Sequence, residues 1–133
     1  MIYGIGVDLV EIRRIDAALR KWGNRFVERI FTDTEARFCW KKAYPPSSFA
    51  LRFAAKEAFS KALGTGMRRG LRWRDIEVFH HPGGRPGLKL RGTSFEICRE
   101  EKINRIHVTL SDEGQYGMAT VILEEKDETG HGD

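Results

Sequence analysis

Glycine takes two successive places, 4 and 6, on one side of the opening MIYGIGVDLV, and this constrains the fold more than any other feature of the chain. Period-two patterning over residues 2–10 predicts a strand. Tyr3, Ile5, Val7 and Leu9 would point one way, and Ile2, Gly4, Gly6, Asp8 and Val10 the other. A face cleared by two glycines lets another backbone or a ligand come close. Asp8 sits on that face, where nothing local calls for a carboxylate.

The period then changes. Ile12, Ile15, Leu19, Trp22 and Phe26 recur every three or four residues, which predicts an amphipathic helix over 11–31 that Gly23 bends or breaks. Thr32-Asp33-Thr34 supplies cap residues for a short helix to about residue 43. Pro45-Pro46-Ser47-Ser48 reads as a loop that caps a long helix over 48–63. Leu51, Ala55, Ala58, Phe59 and Ala62 line its core face, with Arg52, Lys56, Ser60 and Gly64 on the opposite side and Glu57 and Lys61 beside them. Ile76 and Val78, with His80, alternate with Glu77 and Phe79 as a strand, and HPGGRPG turns it into Leu88-Lys89-Leu90. A helix is expected over 93–103, followed by RIHVTLSDE and QYGMATVILE as a hairpin. The whole is a single α+β domain over 1–125, with helices packed on a mainly antiparallel sheet. The polar residues 126–133, with nothing apolar after Leu123, form an expected disordered tail.

Composition excludes several classes. No apolar run approaches the ~20 residues of a membrane span, so no membrane partner is expected. The N-terminus lacks the layout of a signal peptide. Cys39 and Cys98 show no metal-ligand spacing and read as buried or free thiols in a reducing cytoplasm. The net charge of +4 favours an acidic partner, whether nucleic acid, protein or phosphorylated metabolite. The strands carry no aromatic pair of an RNA-recognition motif, which weighs against the alternative of a small basic RNA-binding module.

The stretch RFAAKEAFSKALGTG concentrates the candidate chemistry. Its Gly-Thr-Gly ends a helix rather than opening one, so the phosphate-binding N-terminus of a nucleotide motif is excluded. These glycines either cap the helix or leave anion binding to side chains and loop N–H groups. Glu57 and Lys61, four apart, form either a surface ion pair or part of a site. If the long helix crosses the first strand, Asp8 and Glu57 converge. Two carboxylates beside lysines and arginines suit Mg²⁺, which one or two carboxylates hold together with substrate phosphates and water. Glu57 would then serve the cation, and the bases the anion it bridges. His80 and His81 read as solvated turn residues, and His107 as a structural strand residue. Arg13, Arg14, Arg20, Lys21 and Arg25 form a basic helical face, either solvated or matched to an acidic helix.

GIGVDLVEIRRI, RFAAKEAFSKALGTG and HVTLSDEGQYGMATVILE, in that order, resemble the holo-acyl-carrier-protein synthase family, the small type of 4′-phosphopantetheinyl transferase. The resemblance spans the chain to about residue 125. It implies transfer of the phosphopantetheine arm of coenzyme A to a serine of an acidic apo-acyl carrier protein, releasing adenosine 3′,5′-bisphosphate, in support of fatty acid synthesis or of a secondary-metabolism carrier. It implies Mg²⁺ on Asp8 and Glu57 and Lys61 on the pyrophosphate; the mechanism that follows takes Glu57, directly or through a metal-bound water, as the base for the serine proton. Arg52, Gly64, Thr65, Gly66 and His107 would lie along the coenzyme, and Arg13, Arg14, Lys21 and Arg25 would dock the carrier. It further implies a cytoplasmic homotrimer with sites between subunits, where Phe49 and Phe53 would line a cleft.

Overall fold

The computed structural model describes residues 1–127. The greater part of the expected tail, 128–133, lies outside the described residues. Lys126, counted with that tail, is tied to the domain, because its N–H donates to the carbonyl of Lys102 at 2.8 Å.

Among the described residues, five strands and five α-helices follow the expected α+β order. They are β1 (Ile2–Glu11), α1 (Ile12–Trp22), α2 (Asn24–Ile30), α3 (Asp33–Trp40), α4 (Pro45–Leu63), β2 (Ile76–His80), β3 (Pro86–Leu90), α5 (Gly92–Glu100), β4 (Ile103–Glu113) and β5 (Tyr116–Glu125). The strands form two antiparallel sheets, β1-β5-β4 and β2-β3, rather than one.

The glycines of β1 do what the alternation predicts. A Cβ built on Gly4 would lie 2.0 Å from the carbonyl oxygen of Ala62, and one on Gly6 would lie 1.9 Å from that of Ala58. Helix α4 therefore presses its backbone directly on β1, with alanine on one side of the contact and glycine on the other. A bulge between Ile2 and Gly4 changes the facing at the strand's start. Tyr3 packs against the main core while Ile2 is exposed, the reverse of strict alternation.

The boundaries shift for identifiable reasons. Gly23, at φ 55°, breaks the first helix into two rather than bending it. Helix α3 stops at Trp40, and the expected loop at 45–48 is already helix, because prolines at the first helical positions lack an N–H that would have no partner there anyway. Helix α5 ends early, since Lys102 turns at φ 61° into β4.

The larger correction concerns the supposed polar side of α4. Arg52, Lys56 and Ser60 are 3%, 0% and 1% exposed, so this side faces a second core made with α1, α2 and α3. Phe49 is fully buried in that core and so is not available to line a cleft, while the part-buried Phe53 stacks on Trp73 at 5.1 Å. Lys56 reaches into the core and donates to Glu35 Oε1 at 2.8 Å and to the carbonyls of Trp73 and Ile76 at 2.9 and 2.7 Å. Glu35 closes the capping box of α3 with Thr32 and accepts from the N–H of Val78 at 2.7 Å. Burial pushes the Lys56 ammonium below its usual pKa, and Glu35 pulls it back.

No helix among the described residues is long and apolar enough to cross a membrane. Cys39 and Cys98 are buried free thiols, and burial pushes Cys98 up to about 11.

Gly6→Ala should cost about 3 kcal/mol, the upper end for overpacking, because the obstructing atoms are backbone. Lys56→Met should cost about 3–5 kcal/mol by leaving Glu35 buried and unpaired, and adding Glu35→Gln should recover part of it. Urea-unfolding midpoints at unchanged slope would measure both.

Candidate active site

The contact between β1 and α4 also assembles the candidate chemistry. Asp8 lies two residues beyond Gly6 on the same face of β1. Glu57 and Lys61 immediately precede the two α4 residues, Ala58 and Ala62, that touch the glycines. Lys61 Nζ donates to Asp8 Oδ1 at 2.9 Å and to the carbonyl of Val7 at 3.1 Å. The Asp8 side chain is largely covered, at 12% exposure, while that of Lys61 is half exposed, so the pair opens to solvent on the lysine side.

Glu57 shares this neighbourhood. Its carboxyl is held above the usual carboxylate range, first by desolvation and then by the charge of Asp8, with Lys61 opposing. A carboxyl whose ionisation is opposed by burial and by a neighbouring acid is suited to a cation. Among the described residues no three His, Cys, Asp or Glu side chains gather to form a metal site. At most two protein carboxylates are therefore available here, a donor set that fits Mg²⁺ completed by substrate oxygens and water.

The Gly64-Thr65-Gly66 turn serves the helix end. Gly64 adopts φ 84° as a left-handed cap, and the N–H groups of Gly64, Thr65 and Gly66 return to the carbonyls of Lys61 and Ser60 at 3.0–3.2 Å. Those N–H groups are thus spent on capping and not turned toward an anion. A Cβ on Gly64 or Gly66 would meet nothing within 4 Å, so positive φ rather than close approach requires glycine at both places.

Arg52 does not join the trio. It stands nine residues from Lys61, about half a turn around the helix from it. Its Nη1 donates to Ser48 Oγ at 3.1 Å, its guanidinium lies 4.2 Å from the Phe38 ring centroid, and its Nε is buried without a partner. With Lys42 and His80 it borders a cavity of about 480 Å³. His107 lies on β4, exposed and paired with Glu124, whose pKa that histidine lowers. It lines a second cavity of about 600 Å³ with Arg85 and Arg105, and Pro86 borders both.

On the first helices Arg13, Arg14, Lys21 and Arg25 are all exposed. Arg25 borders a further cavity of about 690 Å³ with Trp22, Phe26, Arg29 and Trp73. Sequence periodicity put Trp22 in the core stripe, yet it is 49% exposed beneath Lys21, whose Nζ lies 4.9 Å from the ring centroid. Arg29, Trp73, Lys42 and His80 were not anticipated at any site. The only available signal was an aromatic residue next to bases, which is too common to select them.

Residues 4–121 match the model of the 4′-phosphopantetheinyl transferase superfamily. The chain belongs to that superfamily. It is 46% identical over 125 residues to a holo-(acyl-carrier-protein) synthase of Koribacter versatilis, covering 94% of this chain and 100% of the relative. Among solved structures, the synthase of Neisseria meningitidis superposes with a TM-score of 0.86 at 38% identity, covering 94% of this chain and 100% of that one. The Helicobacter pylori synthase in complex with coenzyme A gives 0.80 at 31%, covering 90% and 99%. The expected membership is borne out over nearly the whole described chain. The RNA-binding alternative finds no support in these likenesses.

Asp8→Asn should lower the Glu57 pKa by removing its second largest cause, whereas Lys61→Met should raise it. A carboxyl ¹³C titration by NMR would read both, and a shift of Glu57 in the opposite sense in either variant would contradict the mutual placement described here.

Proposed function

We propose that this protein transfers the 4′-phosphopantetheine arm of coenzyme A to a serine of apo-acyl carrier protein, in support of fatty acid synthesis in the cytoplasm. The single observation that carries the site assignment is the meeting of Asp8, Glu57 and Lys61 across the glycine-cleared face of β1. Membership of the superfamily supports the reaction class.

The serine oxygen attacks the phosphorus that bears the pantetheine, the phosphoanhydride bond breaks, and adenosine 3′,5′-bisphosphate leaves. Catalysis of such a step is mainly positioning and charge stabilisation. Asp8 and Glu57 would hold Mg²⁺, which would neutralise the pyrophosphate and polarise the phosphorus under attack. Lys61, free to swing on its exposed side, moves from Asp8 to the leaving phosphate. Glu57, with its raised pKa, accepts the serine proton more readily than an ordinary carboxylate does.

The nucleotide end of the coenzyme extends over the cationic cavities on either side of Pro86, toward Arg52 and His107. The acidic carrier docks along α1 and α2, where Arg13, Arg14, Lys21 and Arg25 are exposed and Lys21 overlies the exposed Trp22. A homotrimer would complete the site. Ile5, Val7 and Leu9 of β1, with Tyr116 and Met118 of β5, leave one face of the three-stranded sheet apolar and 41–61% exposed. Bare patches of this kind mark interaction surfaces, and sheet faces from further copies would cover it.

Incubation with coenzyme A, Mg²⁺ and apo-carrier should add the mass of one phosphopantetheine arm to the carrier. Asp8→Ala or Glu57→Ala should lower the rate on the order of 10²–10³-fold while far-UV circular dichroism stays unchanged. Wild-type turnover by either variant, or undiminished transfer with excess chelator, would reject the site.

A further inference from the structure

Lys61 has two carboxylates in its neighbourhood, and its choice between them has a consequence for binding. The four-residue spacing along α4 offers it Glu57, yet the ammonium crosses to β1. There Nζ donates to Asp8 Oδ1 at 2.9 Å and to the carbonyl of Val7 at 3.1 Å. Two consecutive residues of the strand thus pin the tip of a side chain whose stem belongs to the helix. Two of the three ammonium protons are committed to β1.

Exposure shows which member of the pair stands outside. The Asp8 side chain is 12% exposed and that of Lys61 is 50% exposed. Gly6 and Ala58 bring β1 and α4 into backbone contact beside it, so the opening left to the carboxylate is the one the ammonium covers. An ion arriving from solvent meets the charge of Lys61 before it reaches Asp8 Oδ1. That oxygen already accepts a hydrogen bond from a cation, and bonds between ions are the strong class.

The balance of charge is still incomplete, because one ammonium faces two acids. A divalent cation would satisfy both, but only if Lys61 gives up Oδ1, since two cations pressed against one oxygen repel. The half-exposed lysine, on a flexible four-carbon stem, can swing outward. It loses its two hydrogen bonds in doing so unless an anion receives it.

We propose that Lys61 makes cation binding conditional on the anionic ligand: its ammonium and a divalent cation compete for Asp8 Oδ1, and the phosphates of coenzyme A relieve the competition by drawing Lys61 away. Cation and coenzyme then bind cooperatively, beyond what a phosphate oxygen adds by touching the cation itself. The coupling is reciprocal, so the cation raises affinity for the coenzyme by the same factor. The coenzyme half of this inference rests on the transferase reading, whereas the competition concerns the chain and a cation alone.

Titration of the full-length chain with Mn²⁺, a divalent ion that carboxylate and water ligands also suit, would test both halves. The electron paramagnetic resonance of the unbound ion gives the affinity. Without coenzyme, Lys61→Met should bind Mn²⁺ about 10-fold more tightly than wild type, the worth of one charge-assisted hydrogen bond. Lys61→Gln should do the same, which separates loss of the charge from any packing effect of the methionine. Lys61→Arg, which keeps a cationic donor against Asp8, should bind as weakly as wild type. Coenzyme A should then enhance Mn²⁺ affinity about 10-fold less in Lys61→Met than in wild type, once the ion held by the coenzyme alone is subtracted. A lysine acting only as a nearby positive charge would depress cation affinity with and without coenzyme alike. An unchanged enhancement in Lys61→Met would therefore overturn the proposal, as would Mn²⁺ binding by unliganded Lys61→Met and Lys61→Gln no tighter than that of wild type. Failure of coenzyme A to bind would defeat the transferase reading and the coenzyme half with it, while a gain in the unliganded variants would still support the competition at Asp8. Absence of Mn²⁺ binding by every variant would reject the cation position itself.

Discussion

Helix α4 and strand β1 touch through their backbones, and the rest of the site is built around that contact. Gly4 and Gly6 face the carbonyls of Ala62 and Ala58, and any side chain on either glycine would have to displace main-chain atoms. The chemistry is interleaved with the packing. Glu57 and Lys61 are the residues just before the two contacting alanines, and Asp8 is two places beyond the contacting glycine. At such close approach Lys61 bonds directly to Asp8, and the charge of Asp8 reaches Glu57. A larger residue at position 6 would push the helix away and separate the acids, so spacing at the site is set by the absence of side chains beneath it.

The same helix is held on its other side by an ion pair taken wholly out of water. Such a pair stabilises little compared with an apolar substitute, but losing one partner is costly. What Lys56 and Glu35 contribute beyond energy is position. Three donors on one nitrogen and two acceptor oxygens reach α3, the turn at Trp73 and the start of β2. Helix α4 is thereby clamped between the sheet and the smaller helices. Both the carboxylate pair and the Arg52 cavity inherit their geometry from that clamp.

Charge is distributed unevenly over this frame. Acids meet at one contact, where ionisation is penalised and a cation would relieve the penalty. Bases collect elsewhere, around Phe38, around Pro86 and along the first helices. A ligand with two separated anionic centres and a partner of net negative charge both suit that pattern. The helix terminus at Gly64 adds nothing for anions, because its N–H groups return to its own carbonyls and the helix dipole is negative at that end.

Local pattern was legible in the residues themselves. The period-two glycine face of β1, the alanine-rich run of α4, the cap at Thr32 and the C-terminal hairpin all depend on neighbours within a few positions, and each was read correctly in kind. Asp8, Glu57 and Lys61 could be paired from sequence because a cleared strand face and a small-residue helix imply close packing. The fate of Arg52, Lys56, Phe49 and His80 could not. A charged residue on a helix looks solvated until its partners appear, and Glu35, Trp73 and Ile76 lie 17–21 residues from Lys56. Sequence determined which surfaces had to be small and which residues carried charge. Only the tertiary structure decided which charges were buried, because burial of an ion depends on distant groups arriving to satisfy it.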